Sequence, residues 1–291
     1  MKAEGEIISF HPEFPGECFI WDRNPRDQAL VERLERARAV ILPQTVERDL
    51  YLLCRQCCAQ VFPNYDCRFQ WEGKTGESML FWHHRVPHPR TLIVPRVESL
   101  LGEHPEMGLA PQLPSYPLVV KGKSGGEGAA AWLVRNRDEL LPVLRGLEQK
   151  EWRGEKGFVV QEYLPDLERD LRVTVIGGQV LSYWRVNPGG FHHNLARGGV
   201  VDSGSDPHLQ RKGREMVGDF CRAAKINLAG FDLVFPSGSQ TPLFLEINYT
   251  FGRGGLGGGD SYREMLTKAI SSFLVTIQQH PVSPHLPKNP M

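Results

Sequence analysis

No apolar run in this 291-residue chain approaches the ~20 residues that span a bilayer, so no membrane partner is expected. The opening stretch, MKAEGEIISFHPEF, lacks the apolar core of a signal peptide, which gives a cytoplasmic expectation. Net charge is missing too. Lys plus Arg and Asp plus Glu stand at 34 each, leaving no global field to attract nucleic acid or an acidic membrane surface. Any anion bound here must be held by a local arrangement. Cysteine is scarce, and six in this length are too few for a disulfide scaffold. Four of them cluster as Cys54, Cys57, Cys58 and Cys67, and Cys54-x-x-Cys57 invites a zinc reading. The second C-x-x-C of such a site is absent. Leu50, Leu53 and Val61 share helical spacing with Cys54, Cys57 and Cys58, so an apolar helix face is the stronger reading. Protein-kinase signatures, H-R-D-x-x-x-x-N and D-F-G, are also absent.

What is present suggests mixed α and β structure. Residues 1–73 read as a small α/β domain: a strand at EGEIISF, a helix with Asn24 as cap and Pro25 at its first position, a buried strand at AVIL, then the Cys-bearing helix. Leu30, Leu34 and Ala37 line one face of the first helix. Residues 74–116, rich in Pro and His, read as one linking helix plus loops. Strands dominate residues 117–165 and return in 166–279, where Gly177-Gly178 marks a two-residue hairpin turn. A helix follows with Asp206 as cap and Pro207 behind it. A closing helix begins near DSYREML, with Ser261 and Glu264 spaced as a capping box. The tail, 280–291, is Pro-rich and expected to be disordered.

Four stretches could carry chemistry. In VVKGKSGGEGAAAWLV a strand ends at Lys121, and Gly122, Gly125, Gly126 and Gly128 follow before a second strand. Glycines let backbone N–H groups approach phosphate oxygens. Because no G-K-[ST] opens a helix in that stretch, it is not a Walker loop. It is either a lid over nucleotide phosphates or a simple hairpin turn. In FVVQEYLPDLERDLRV a strand runs into Gln161, Glu162 and Tyr163, and Asp170 and Arg172 open the next hairpin. Acids at strand edges can take ribose hydroxyls or can be plain surface charge. NPGGFHHNLARGGVV places Asn194 and Arg197 in a glycine-rich loop suited to a phosphoryl group. His192 and His193 could bind phosphate or move protons there, or be merely solvated. The most informative stretch is FDLVFPSGSQTPLFLEIN. Glu246 and Asn248 share one strand face while Leu245 and Ile247 share the other. A turn centred on Gly238-Ser239 puts Asp232 opposite Glu246, and two such carboxylates repel unless a cation sits between them. An oxygen-only donor set of this kind suits Mg²⁺, with Mn²⁺ as the alternative.

Taken in order, the lysine, glycine lid, QEYL, D-x-R hairpin, NLARGG, AGFDLV and LEIN resemble the ATP-grasp superfamily, closest to its ribosomal-S6-modifying glutamate ligase and glutathione synthetase-like branch. The likeness spans about residues 74–275. It implies an α+β fold in which ATP lies between two subdomains, a lid subdomain at 117–165 and a C-terminal one at 166–279. Lys121 and Lys74 would contact the nucleotide under the glycines 125, 126 and 128. The backbone of Gln161, Glu162 and Tyr163 would hold adenine, and Asp170 the ribose. Asp232, Glu246 and Asn248 match the family's magnesium ligands, and Asn194 with Arg197 its phosphate loop. The implied activity is an ATP- and Mg²⁺-dependent joining of a carboxylate to an amine (or thiol) through an acyl phosphate, releasing ADP and phosphate. Small-molecule or peptide acids and amines would be the substrates, and the short N-terminal domain leaves room for a homodimer. The same site could serve a phosphotransferase, and a non-catalytic nucleotide-binding subunit is the reading from another class. The sequence departs from the family at His192-His193 and in the glycine-rich stretch after Asn248.

Overall fold

The computed structural model describes residues 5–14, 18–19, 27–101, 113–123, 130–165, 167–186 and 200–279. The chain begins with β1 (Ile7–Ser9), β2 (Cys18–Phe19), α1 (Gln28–Arg36), β3 (Ala39–Ile41), α2 (Arg48–Cys57), β4 (Val61–Phe62) and α3 (Asp66–Gln70). The four strands form a parallel sheet in the order β2-β1-β3-β4. Ile7, Ile8, Ala39, Val40 and Ile41 are all buried, as expected of short parallel strands covered on both faces. α1 starts later than its sequence suggested. Asp27, not Asn24, is the N-cap and accepts from the Ala29 N–H at 3.0 Å; Asn24 and Pro25 lie outside the described residues. Leu30 and Leu34 make its buried stripe. The Cys-bearing helix α2 buries Leu50, Tyr51 and Cys54. Burial pushes the Cys54 thiol up to about 12, with the neighbouring cysteines adding to the shift. Cys54 and Cys58 are buried in the first apolar core and Cys57 packs against it, the setting of small hydrophobes.

Next come α4 (Gly73–His83), β5 (Thr91–Val94), α5 (Val97–Leu101), β6 (Leu118–Gly122), β7 (Ala131–Val134), α6 (Arg137–Trp152) and β8 (Phe158–Glu162). Their sheet is antiparallel, in the order β5-β8-β6-β7. The stretch read as a linker therefore supplies an edge strand, β5, as well as a helix. Thr91–Val94, preceded by Pro89 and Arg90, is a strand-favouring run only four residues long, and its pairing with β8 makes it an edge strand. Asn136 caps α6 by accepting from the Glu139 N–H at 2.9 Å, and Leu140, Leu144 and Leu147 close the core over the sheet.

The last sheet is built from β9 (Arg169–Ile176), β10 (Gln179–Val186), β11 (Val200–Asp202), β12 (Leu228–Val234) and β13 (Leu243–Asn248), with α7 (Pro207–Ala224) between β11 and β12 and α8 (Gly258–Gln279) at the end. It runs β11-β10-β9-β12-β13, antiparallel throughout. Gly177, at φ +61°, turns β9 into β10. Asp206 precedes α7 with a left-handed backbone, but its carboxylate pairs with Arg169 and makes no side-chain cap. α8 begins at Gly258, ahead of the expected capping box, and Glu264 instead pairs with Lys268 at 2.6 Å. This helix packs back on the N-terminal sheet, with Phe273 5.6 Å from Phe62. The Pro-rich tail, 280–291, lies outside the described residues. No described helix is long and apolar enough to cross a membrane.

Between β13 and α8 the glycine-rich stretch forms a 3₁₀ turn, Gly254–Leu256. Its composition has a steric cause at Gly255, where a Cβ would come 2.1–2.5 Å from ring atoms of Tyr183, a residue only 3% exposed. Gly255→Ala therefore forces a buried aromatic or the turn to move. We expect a loss of about 1–3 kcal/mol, read as a lower urea midpoint at unchanged slope; a wild-type midpoint would contradict the packing.

Candidate active site

Sheet register brings the charged residues together. Asp232 on β12 lies opposite Glu246 on β13 and, on its other side, opposite Arg172 on β9. Gly230 lies opposite Asn248, and a bulge follows Asp232. Further along β9, Asp170 faces Arg185 of β10. The side chains follow this map. Arg172 Nε donates to Asp232 Oδ1 at 2.5 Å, and Asn248 Nδ2 to Asp232 Oδ2 at 3.1 Å. The Arg185 guanidinium bridges both acids, 2.7 Å from Asp170 Oδ1 and 2.9 Å from Asp232 Oδ2. Gly230 leaves space for this, since a Cβ there would come 3.0 Å from an Arg172 nitrogen. All four charged groups are buried, at 4–7% exposure. Burial opposes ionisation of Asp232, yet Arg172 and Arg185 outweigh it and hold its carboxyl below the usual range. At Asp170 burial wins against Arg185 and pushes the carboxyl up to about 7.

A second cluster adjoins the first through Glu246. Lys74, in the first turn of α4, reaches Glu246 Oε1 at 2.8 Å and Glu77 Oε1 at 3.3 Å. The other Glu77 oxygen accepts the Ile247 N–H at 2.8 Å, fastening α4 to β13. Burial opposes the Lys74 charge, but Glu77 and Glu246 overcome it and raise its pKa to about 12. Burial raises Glu77 against the pull of Lys74. Lys121, at the end of β6 in the neighbouring sheet, has the opposite outcome. Burial and then the Lys74 charge lower it to about 8, although Glu77, Glu246 and Asp232 partly compensate. The two sheets thus share one electrostatic site.

Lys74, Lys121, Asp232, Glu246 and Asn248 are therefore brought together. Gln161 and Glu162 are turned to β5 and its approach: Gln161 Nε2 donates to Thr91 Oγ1 at 2.9 Å, and Glu162 Oε1 accepts from the Arg90 N–H at 2.7 Å. Tyr163 follows directly, half-buried. Asp170 spends both oxygens on Arg185, so a ribose hydroxyl would have to compete with a buried guanidinium. Gly125, Gly126, Gly128, His192, His193, Asn194 and Arg197 lie outside the described residues. Sequence reasoning missed two participants. Arg185 is found by counting back from the Gly177-Gly178 turn, which pairs it with Asp170. Glu77 stands at i+3 from Lys74, the spacing of a helical ion pair.

The oxygen donors of Asp232, Glu246 and Asn248 lie on one patch of the hairpin and are chemically suited to a hard divalent cation. Their charges are met here by Arg172, Arg185 and Lys74, so a metal would share or exchange these partners. Beside Lys74 opens a pocket of about 300 Å³, whose lining includes Arg68, Glu77, Lys123 and Tyr249.

This architecture is that of known ATP-grasp proteins. A D-alanine–D-alanine ligase from Bacillus anthracis, solved with ATP, superposes with a TM-score of 0.59 at 17% identity, covering 90% of this chain and 86% of that one. A RimK domain ATP-grasp protein from Sphaerobacter thermophilus gives 0.59 at 14%, covering 91% and 99%. The chain belongs to the RimK-like ATP-grasp domain family, whose profile matches residues 79–257, more than half of it. Among curated relatives, beta-citrylglutamate synthase B of Danio rerio is 30% identical over 122 residues, which is 41% of this chain and 28% of the relative. Alpha-aminoadipate–LysW ligase LysX of Saccharolobus solfataricus is 24% identical over 176 residues, 60% of this chain and 58% of that protein. The match thus spans less than two thirds of either relative's length.

Lys121 gives a pH test of this geometry. Folded, it releases its proton near 8; its ordinary value is 10.5. Between those values the unfolded chain binds more protons, so stability rises with pH across the window. Chemical-denaturant midpoints from pH 7.5 to 10 should show that rise, and Lys121→Met should flatten it. An identical slope in the variant would remove Lys121 from the buried cluster.

Proposed function

We propose that this protein is an ATP- and Mg²⁺-dependent ligase that joins a carboxylate to an amine through an acyl phosphate, releasing ADP and phosphate. The observation that carries the reading is the convergence of Lys74, from helix α4, and Lys121, from strand β6, on the Asp232–Glu246–Asn248 patch. The family membership supports it, as do the printed names of the relatives, which are synthases and ligases. Phosphoryl transfer needs positive charge around a group whose negative charge must be kept from repelling the attacking carboxylate. Lys121 would approach the nucleotide phosphates from β6. Because burial and Lys74 oppose its charge, it gains from an arriving phosphate, which offsets both. Lys74 would exchange part of its hold on Glu246 for a phosphate oxygen, with Glu77 keeping it charged.

Arg172 and Arg185 hold Asp232 ionised and aligned, and Asn194 with Arg197 would bind the transferring phosphoryl group. Asp232, Glu246 and Asn248 would hold Mg²⁺, which when bound screens the phosphate charges. Adenine would lie on the backbone of Gln161, Glu162 and Tyr163. Asp170 is the weakest member of the nucleotide assignment, because Arg185 already occupies it. The acceptor amine then attacks the acyl carbon; its nitrogen forms the new bond as the phosphate leaves and carries away the electron pair.

The decisive assay supplies ATP, Mg²⁺, a panel of carboxylic acids and hydroxylamine. Hydroxamate formed together with ADP supports the acyl phosphate; a phosphorylated alcohol would redirect the reading to a kinase. Glu246→Gln should lower metal-dependent turnover by on the order of a hundredfold or more, with a melting temperature close to wild type, because Lys74 retains Glu77 as a partner. Full turnover in that variant would contradict the assignment.

A further inference from the structure

Glu77 is an acid at a position where a neutral side chain would serve the fold. It lies one turn before Phe81 on α4, whose ring packs 5.6 Å from Phe244 and 6.1 Å from Phe220. The helix is thereby seated firmly against the last sheet. β13, the edge strand of that sheet, is tied by backbone N–H groups to α4 and the stretch after it. The Phe244 N–H donates to the Pro87 carbonyl at 2.8 Å, and the Ile247 N–H to Glu77 Oε2 at 2.8 Å. Between these ties the ladder is interrupted. Glu246 faces Asp232 and Phe244 faces Leu233, which leaves Leu245 without a partner on β12. A bulge disrupts pairing locally and bends its strand, so an outside anchor matters most here. Ile247 stands between Glu246 and Asn248, and the Glu77 bond therefore fixes the backbone that carries both oxygen donors.

A glutamine would accept the same N–H in the same space. The carboxylate instead sits beside a second one, Glu246, and the two share Lys74. Its Nζ lies 3.3 Å from Glu77 Oε1 and 2.8 Å from Glu246 Oε1. Like charges this close repel unless a cation joins them. The Lys74 and Glu77 side chains are only 17% and 12% exposed, whereas Glu246, at 35%, is the open end of the trio. A divalent ion that drew Glu246 away would leave a buried ammonium unpaired, an arrangement that strongly opposes binding. Glu77, already in contact with Lys74, removes that obstacle.

We propose that Glu77 is a positioning residue of the metal–nucleotide site. It keeps Lys74 paired while Glu246 turns to a divalent ion, and it holds the Glu246–Asn248 backbone in place during the exchange. The role rests on the ligase reading for the identity of the ligands, and it is exerted through Lys74 and the Ile247 N–H.

Calorimetry of the full chain with Mg²⁺ and a non-hydrolysable ATP analogue reads this role without turnover. Glu77→Gln keeps an acceptor for the Ile247 N–H and removes only the charge. The Mg²⁺ concentration that half-saturates binding of the analogue should rise on the order of tenfold, while hydrogen exchange at the Ile247 amide stays slow. Glu77→Leu removes the acceptor as well, and Ile247 exchange should then quicken on the order of tenfold. If Glu77→Leu does not fold, Glu77→Gln decides alone. Glu72→Gln is the control: it deletes an acid two residues from Lys74 that pairs with Arg48 instead, and should leave the Mg²⁺ requirement as it is. A wild-type requirement in Glu77→Gln, an equal rise in Glu72→Gln, or unchanged Ile247 exchange in Glu77→Leu overturns this role and leaves the ligase reading standing. Absence of any binding by the wild-type protein overturns both.

Discussion

Asp232 is a carboxylate buried in the middle of a β-sheet, and most of the site follows from satisfying it. Removing such a charge from water costs several kcal/mol unless partners replace the solvent. Arg172 and Arg185 arrive from β9 and the strand beyond it, and the Asn248 amide from β13. Each of those needs its own support. Arg185 leans on Asp170, and Arg172 lies over the bare backbone of Gly230. A buried charge set of this kind is a poor device for stability, since apolar side chains of equal volume do as well or better. Its retention fits a chemical purpose.

The neighbouring cluster extends the same logic across subdomains. Glu246, opposite Asp232, is neutralised from α4 by Lys74, and Glu77 binds both that lysine and the β13 backbone. Every acid thus has an organic cation already in place. On our reading, ligand binding is an exchange of partners: phosphates take over from carboxylates as the lysines' counter-charge, and the divalent ion takes over from lysine at Glu246. Lys121, the cation least well served by its surroundings, has the most to gain. The glycine-rich segment after β13 serves geometry, because it lets the chain pass over Tyr183, whose ring borders the arginines.

Much of this was legible in the sequence because it is local. A two-residue turn fixes register, so Gly177-Gly178 dictates that Asp170 meets Arg185. A turn near Gly238-Ser239 brings Asp232 within one residue of Glu246, and the bulge between Asp232 and Leu233 sets the two directly opposite. Periodicity also gave Leu30 and Leu34 of α1 and Leu50 and Cys54 of α2, whereas Ala37, Cys58 and Val61 fall beyond the ends of those helices. What escaped was non-local or close in energy. Thr91–Val94 carries a short strand signal of its own, but its partner β8 lies about 70 residues away and no local window reveals it. The start of α1 at Asp27 was a choice between cap residues three apart. Asp206 was right in position, but Arg169 from another strand captured its side chain. Glu77 gave only an i,i+3 signal, common on any charged helix.

The central claim is that the acids of the hairpin are neutralised by protein cations until a metal–nucleotide pair displaces them together. Calorimetric titration with Mg²⁺ alone, and then with Mg²⁺ plus a non-hydrolysable ATP analogue, tests it most directly. We expect little heat from the ion by itself and saturable binding of the pair. Tight binding of Mg²⁺ without nucleotide, or no association of the pair, would contradict the account.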